Sequence, residues 1–219
     1  MTQLNELHSP VKDKVSLVWV TPDAENKIAY MARVSNPDNQ HNLDSAPKLL
    51  KYLIKHKHWS PFEMVNVCME INTTRDIARQ ILRHRSFSFQ EFSQRYAAVQ
   101  GFTTSEARLQ DNSNRQNSIA TDNEALQEWW AHAQQRIRKD AEFIYDTALG
   151  KGIAKEVARK VLPEGLTDSR MYMNGTLRSW LHYIDIRCDV ATQKEHREVA
   201  MQVKQIIMEL FPSLFKEGT

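Results

Sequence analysis

The chain has 219 residues, 41% hydrophobic and 26% charged, the balance of an ordinary globular protein long enough to bury a real core. Its 29 Lys and Arg stand against 27 Asp and Glu, so nothing in the bulk charge argues for a nucleic-acid wrapper and any anion site has to be local. Met1–Pro10 lacks the basic start and apolar run of a signal peptide, and no run of about 18 apolar residues could span a membrane. The two cysteines, Cys68 and Cys188, form no CxxC pair, and the histidines have no zinc-ligand spacing. The expectation is a cytoplasmic protein without a bound metal.

In chain order, Val15 to Val20 is a β-branched run ended by Thr21-Pro22, which predicts a strand followed by a helix over Ala24 to Val34. Asp44 to Lys57 predicts a second helix: Asp44 or Ser45 can cap it, and Leu49, Leu50, Leu53 and Ile54 form its apolar stripe. Glu63 to Asn72 alternates, with Val65, Val67, Met69 and Ile71 on one face of a half-buried strand. Thr74 to Arg83 then switches to helical spacing and should bury Ile77, Ala78, Ile81 and Leu82. Phe87, Phe89 and Phe92 interleave with polar residues as in a further strand.

Gly101 to Asp122 is rich in Asn, Gln, Ser and Thr with almost no apolar periodicity. Inside a compact domain such a stretch is a lid, a binding loop or disorder. Helices are expected again over Asn123 to Leu149, with Trp129, Trp130, Ile137 and Phe143, and over Ile153 to Leu162, where Pro163 stops it. A short strand fits Arg170 to Asn174, and two more helices fit Thr176 to Ile186 and Gln193 to Leu210. The sum is one helix-rich α+β domain around a central sheet, spanning 1–219.

The densest chemical constellation is Arg83-His84-Arg85, followed after seven residues by Ser93 and then Arg95-Tyr96. Three cationic or titratable side chains in a row cannot all face a core, because an unpaired buried charge is prohibitively costly. A solvated basic helix end, favoured by the helix dipole, accounts for the triplet alone. The flanks add more. Gln80, Arg83 and His84 fall at i, i+3 and i+4, one helical face. Ser88, Gln90, Glu91, Ser93 and Arg95 supply a polar run whose Arg and Ser make a standard phosphate grip.

Arg83-His84-Arg85 with Ser93 resembles the RHR-x7-S signature of the flavin-dependent thymidylate synthases, and the wider string RHRSFSFQEFSQRY resembles that family throughout. Further likeness lies in Ala32-Arg33-Val34-Ser35, His58-Trp59-Ser60-Pro61-Phe62-Glu63, Val157-Ala158-Arg159, Leu177-Arg178-Ser179, and Gln193 through Glu198. Gln90 stands where many members have Asn, which keeps an amide.

The resemblance implies methylation of dUMP to dTMP, with 5,10-methylenetetrahydrofolate as carbon donor and NADPH reducing a bound FAD. It implies that Ser60, Arg83, His84, Arg85, Glu91, Arg178 and His182 meet FAD. It also implies that Gln80, Arg83, Glu91, Ser93, Arg95, Arg159 and Arg187 meet dUMP, with Arg187 polarising the uracil ring and no cysteine nucleophile. Cys68 reads as a small buried residue in a strand, whereas Cys188 neighbours Arg187, which could lower its pKa. Arg178 and His182 share a helical face, and Arg187 lies about half a turn away at ~100° per residue. A helix wedged between two sites suits active sites shared between subunits, and the resemblance implies a homotetramer.

Blander readings stand beside these: Ser60 as a Trp-Ser-Pro turn, Arg159 as a surface residue, His182 as a core histidine. Two other functions remain open at this level. One is a nucleic-acid module using Arg83, Arg85 and Arg95 with aromatic platforms, against which near-neutral charge and Glu91 argue. The other is a flavoprotein without turnover.

Overall fold

A computed structural model describes residues 14–215; Met1–Pro10 lie outside them. The elements run β1 (Val15–Val20), α1 (Ala24–Ala32), α2 (Ala46–Lys55), β2 (Asn66–Thr74), α3 (Arg75–Ile81), β3 (Phe87–Glu91), β4 (Arg108–Gln110), β5 (Ser118–Ala120), α4 (Glu124–Gly150), α5 (Lys155–Ala158), β6 (Asp168–Thr176), α6 (Leu177–Arg187), α7 (Lys194–Leu210) and α8 (Pro212–Phe215). The α+β expectation holds: four antiparallel strands in the order β1-β2-β6-β3 carry the helices, and β4 and β5 form a separate hairpin. Among the described residues no helix is long and apolar enough to cross a membrane.

The period-2 pattern decides which sheet face is covered. Val65, Val67, Met69 and Ile71, with Met171 and Met173 of β6, are all fully buried. They pack with Ile77, Ala78 and Ile81 of α3, Trp180 and Tyr183 of α6, and Val199, Val203 and Ile207 of α7. Their burial is the main stabilising term of the fold. Trp180 shows how the core keeps its polar atoms satisfied, since its indole N–H donates to the Val67 carbonyl at 3.0 Å.

Gly175 of β6 is dictated by packing. A Cβ there would stand 2.3 Å from the Phe87 ring. Without it the ring lies against Trp180, centroids 4.7 Å apart and near perpendicular. That ring also meets His84 at 6.4 Å and Tyr183 at 6.1 Å, so a glycine in one strand shapes the wall beside the RHR segment.

Several sequence expectations are corrected. Within the polar stretch Gly101 to Asp122, Arg108–Gln110 and Ser118–Ala120 pair as β4 and β5, and Asp111 Oδ1 accepts from the Ser113 and Asn114 amides at 2.8 and 3.1 Å. Ile153 to Leu162 is a four-residue helix followed by a 3-10 turn at Arg159–Val161. Leu82 is only half-buried. Ser45 precedes α2 without capping it by side chain; its hydroxyl is engaged by the Arg33 guanidinium at 2.8 Å. On α4, Trp129, Ile137 and Phe143 are exposed, and the buried residues are Gln134, Ala141 and Tyr145.

Candidate active site

Helix α3 begins after Thr74, buries Ile77, Ala78 and Ile81, and stops at Ile81. Arg83 and His84 therefore leave the helix in a turn, their amides bonding the Gln80 and Ile81 carbonyls at 3.3 and 3.0 Å. This revises the single helical face expected for Gln80, Arg83 and His84. Arg83 and Arg85 are exposed, while His84 turns inward, half-buried. Gln80 and His84 still converge, because both approach His196 of α7.

Arg187, at the end of α6, donates from Nε to His84 Nε2 at 2.9 Å. An imidazole nitrogen that accepts is unprotonated, so the His84 proton sits on Nδ1. Burial, then the neighbouring Arg187, His182 and Arg83, hold the His84 pKa down at about 4, and the ring is neutral near pH 7. The guanidinium is thus oriented without being neutralised. Its terminal nitrogens meet no protein acceptor among the described residues.

A cavity of about 410 Å³ opens here, lined by Gln80, Arg187, Thr192, Gln193 and, from the polar hairpin, Gln116. Behind it stand residues that the pattern of the site did not predict. His196 is fully buried; its Nδ1 lies 3.3 Å from Gln80 Oε1 and its Nε2 3.1 Å from the Tyr183 hydroxyl. Burial, then Arg187 and His84, lower its pKa to about 3. One signal was available: His196 falls on the apolar stripe of α7 with Val199, Ala200 and Val203, where a polar side chain needs a partner.

The other expected residues form three further groups. Arg178 is exposed and ion-paired with Glu63, in the 3-10 turn that Ser60 begins; His182, one turn on, is exposed and close enough to His84 to depress its pKa. Arg95 reaches Glu156 at 3.5 Å on the helix that Arg159 ends. The backbone N–H of Arg95 donates to Ser93 Oγ at 3.4 Å. Glu91 accepts from the Ser169 hydroxyl at 2.7 Å and faces Arg75 at 3.5 Å. Ser93, Arg95, Arg159 and Glu91 do not line the cavity that Gln80 and Arg187 share.

Neither thiol is primed. Cys68 is buried in β2 and burial pushes its pKa up. Cys188 is also raised by burial, against the expectation that its Arg187 neighbour would lower it. Arg33 adds a further feature: it is 7% exposed, and its guanidinium bonds the Asn42 carbonyl and Ser45 hydroxyl with no carboxylate partner among the described residues.

The family model described as thymidylate synthase complementing protein matches residues 16–213. The chain is 52% identical over 194 residues to a probable flavin-dependent thymidylate synthase of Paramecium bursaria Chlorella virus 1, covering 88% of this chain and 89% of that protein. It is 52% identical over 190 residues to a flavin-dependent thymidylate synthase of Synechocystis, covering 87% of each. Its structure resembles a UMP/dUMP methylase, PolB, of Streptomyces cacaoi bound with 5-Br dUMP, with a TM-score of 0.79 at 26% identity over 91% of both chains. A match that leaves out only the two ends of the chain, joined to these relatives, places the chain in the flavin-dependent thymidylate synthase family.

Proposed function

We propose that the protein converts dUMP, 5,10-methylenetetrahydrofolate, NADPH and a proton into dTMP, tetrahydrofolate and NADP⁺ through bound FAD. The observation that carries this reading is the Arg187–His84 pair: a guanidinium held by a neutral acceptor beside a cavity walled with amides. Uracil C5 is a poor nucleophile. Ionising the ring raises the electron density at C5 and places negative charge on the ring carbonyls, and the free end of the Arg187 fork supplies donors that favour that ionised form. A carboxylate in place of His84 would cancel that charge. The neutral imidazole aims it and leaves it positive.

The residues present suit FAD. Arg83 and Arg85 are exposed cations in no ion pair among the described residues, the chemistry a pyrophosphate requires. Ser60 begins the 3-10 turn whose Glu63 pairs with Arg178, and Ser60 and Arg178 would hold FAD with His84, His182 and Glu91. When bound, FAD supplies the reducing equivalents delivered by NADPH. Neither thiol is needed: both are held in their protonated form by burial, in keeping with polarisation of the ring in place of covalent addition to it.

Gln80 lies with Arg187 at one cavity, whereas Ser93, Arg95 and Arg159, its partners in the proposed phosphate grip, are elsewhere on the same chain. A site assembled from more than one subunit reconciles these placements, and a homotetramer with shared active sites is the assembly we propose. The decisive experiment is the ultraviolet–visible spectrum of the purified protein. It should show an oxidised flavin that bleaches with NADPH without oxygen and recovers as dTMP forms. A preparation that neither carries nor takes up FAD would refute the reading.

A further inference from the structure

The polar hairpin is braced between two helices. Gln134 of α4, 3% exposed, engages Ser105 with both ends of its amide: Oε1 accepts the Ser105 N–H at 2.9 Å and Nε2 donates to the Ser105 carbonyl at 2.8 Å. Two turns before it on the helix, Gln127 does the same for Ala107 at 2.8 and 2.9 Å. Its Nε2 also reaches the Thr121 carbonyl at 3.0 Å, so one side chain holds both feet of the hairpin. On the other side Arg108 joins β4 to β5 through the Ser118 hydroxyl at 2.9 Å, and to the first turn of α7 through Glu195 at 2.6 Å. Lys194 and Glu106 pair across the same seam at 2.5 Å.

The tip between the strands is shaped by its own side chains. Asp111 Oδ1 accepts from the Ser113 hydroxyl and from the Ser113 and Asn114 amides, and its Oδ2 accepts from Asn117 Nδ2 at 3.0 Å. Gln110 Nε2 donates to the Asp111, Arg115 and Asn117 carbonyls. Asn114 Oδ1 accepts the backbone N–H of Gln116 at 3.1 Å. These groups are all engaged within the tip. The side chain of Gln116 bonds no protein group among the described residues, and it lines the cavity of Arg187.

We propose that Gln116 is a further substrate-contacting residue of the Arg187 cavity, and that Asp111 is a positioning residue that aims it there. The proposal rests on the reading that this cavity receives the nucleotide. A loop ordered before the ligand arrives loses little entropy on contact, so the bond that Gln116 makes is expressed as affinity. A side-chain amide both donates and accepts, and its bond to the nucleotide is made alike in ground and transition states. Gln116 therefore acts on binding, where Arg187 acts on chemistry.

The test uses the flavin-loaded enzyme with dUMP as the varied substrate. Gln116→Ala, at an exposed tip where folding is not at stake, should raise KM by about three- to tenfold and leave kcat within about twofold, with flavin content unchanged. Asp111→Ala should raise KM by a similar factor, and Asp111→Asn, which keeps an acceptor for the Ser113 and Asn114 amides, should restore most of the loss. Because Asp111 acts through Gln116, the double alanine variant should be no worse than the poorer single one. Hydrogen exchange at the Ser113 and Asn114 amides should quicken in Asp111→Ala and stay at the parent rate in Gln116→Ala. A parental KM in Gln116→Ala beside an impaired Arg187→Ala would overturn the proposal, as would additive losses in the double variant. If Arg187→Ala too leaves both kcat and KM unchanged, it is the nucleotide reading of the cavity that fails, and the role of Gln116 with it.

Discussion

The two ends of helix α6 carry an arginine each and treat it oppositely. At the C-terminal end Arg187 donates to a neutral imidazole and keeps its full charge. Near the N-terminal end Arg178 lies on Glu63, a carboxylate, in an exposed pair. The first arrangement directs a positive charge to a fixed point in a cavity. The second balances a charge in solvent, where it is screened and worth little. Nine residues apart, about half a turn round the helix, the two side chains face different partners. The contrast separates a cation built into the fold from one held loosely until a ligand takes it.

The largest effect expected from this contrast is on chemistry. Arg187→Ala should lower kcat at saturating dUMP by about a hundredfold or more, the loss typical of one preorganised donor to developing charge. Arg187→Lys should rescue only in part, since one ammonium cannot reproduce a planar fork. Flavin content has to be measured alongside, because lost cofactor would imitate a lost catalytic group. A variant that changes only KM would place Arg187 in ground-state binding.

Arg95 belongs with Arg178 in this comparison, being exposed and set against Glu156 at 3.5 Å. Its proposed ligand is the dUMP phosphate, held alike in ground and transition states. Arg95→Ala should then raise KM by roughly ten- to a hundredfold, the worth of one charge-assisted hydrogen bond, with a smaller change in kcat. A fall in kcat at constant KM would reverse the two assignments.

How far this contrast could be read from the sequence depends on what sets each feature. Periodicity is local, so β1, the buried face of β2 and helices α3, α6 and α7 were legible within a few residues. The alternation Val65, Val67, Met69, Ile71 is a direct consequence of side chains pointing to opposite sheet faces. The RHR segment and Arg187 were legible as candidates by resemblance. What was not legible is set by tertiary pairing. Nothing local to Cys188 reveals that burial outweighs its charged neighbour. The hairpin at Arg108–Gln110 and Ser118–Ala120 has almost no apolar pattern because side-chain hydrogen bonds, such as those to Asp111, order it. The contact of Gln80 with His196 joins residues 116 positions apart, a distance no spacing rule spans.

The buried end of the comparison also has a pH signature. His84 titrates at about 4 and His196 at about 3 in the folded protein, against an ordinary value near 6.5 when unfolded. Above that value both states hold the rings neutral. Below it the unfolded chain takes up protons that the folded chain refuses, so stability falls with falling pH. The loss begins near pH 6.5 and continues until the folded values are reached. Each ring contributes at most about 1.4 kcal/mol per pH unit. Urea midpoints between about pH 7.5 and 5, at fixed protein concentration, should decline, and His196→Asn should flatten the decline. An unchanged slope in that variant would mean that His196 is not held neutral by its surroundings.

The smallest effect is expected where the charge is loosely held. Glu63 and Arg178 are 40% and 51% exposed at the side chain, so Glu63→Gln should change folding stability by no more than about 1 kcal/mol. Its effect on flavin distinguishes two roles for the carboxylate. If Glu63 merely occupies Arg178 until FAD arrives, removing its charge frees a cation for the ligand. The affinity for FAD should then rise by a factor of up to about five, the equivalent of the small pair energy given up. Arg178→Ala should move the affinity the other way, by about tenfold or more, since a charge-assisted bond to the cofactor is lost. Titrating FAD into apoprotein of the parent and both variants reads the two effects on one scale. If Glu63→Gln weakens FAD binding as much as Arg178→Ala does, the carboxylate orients Arg178 as His84 orients Arg187. The two ends of α6 would then follow one design, in which each guanidinium is aimed by a fixed acceptor, and the neutrality of His84 would be the only distinction left between them.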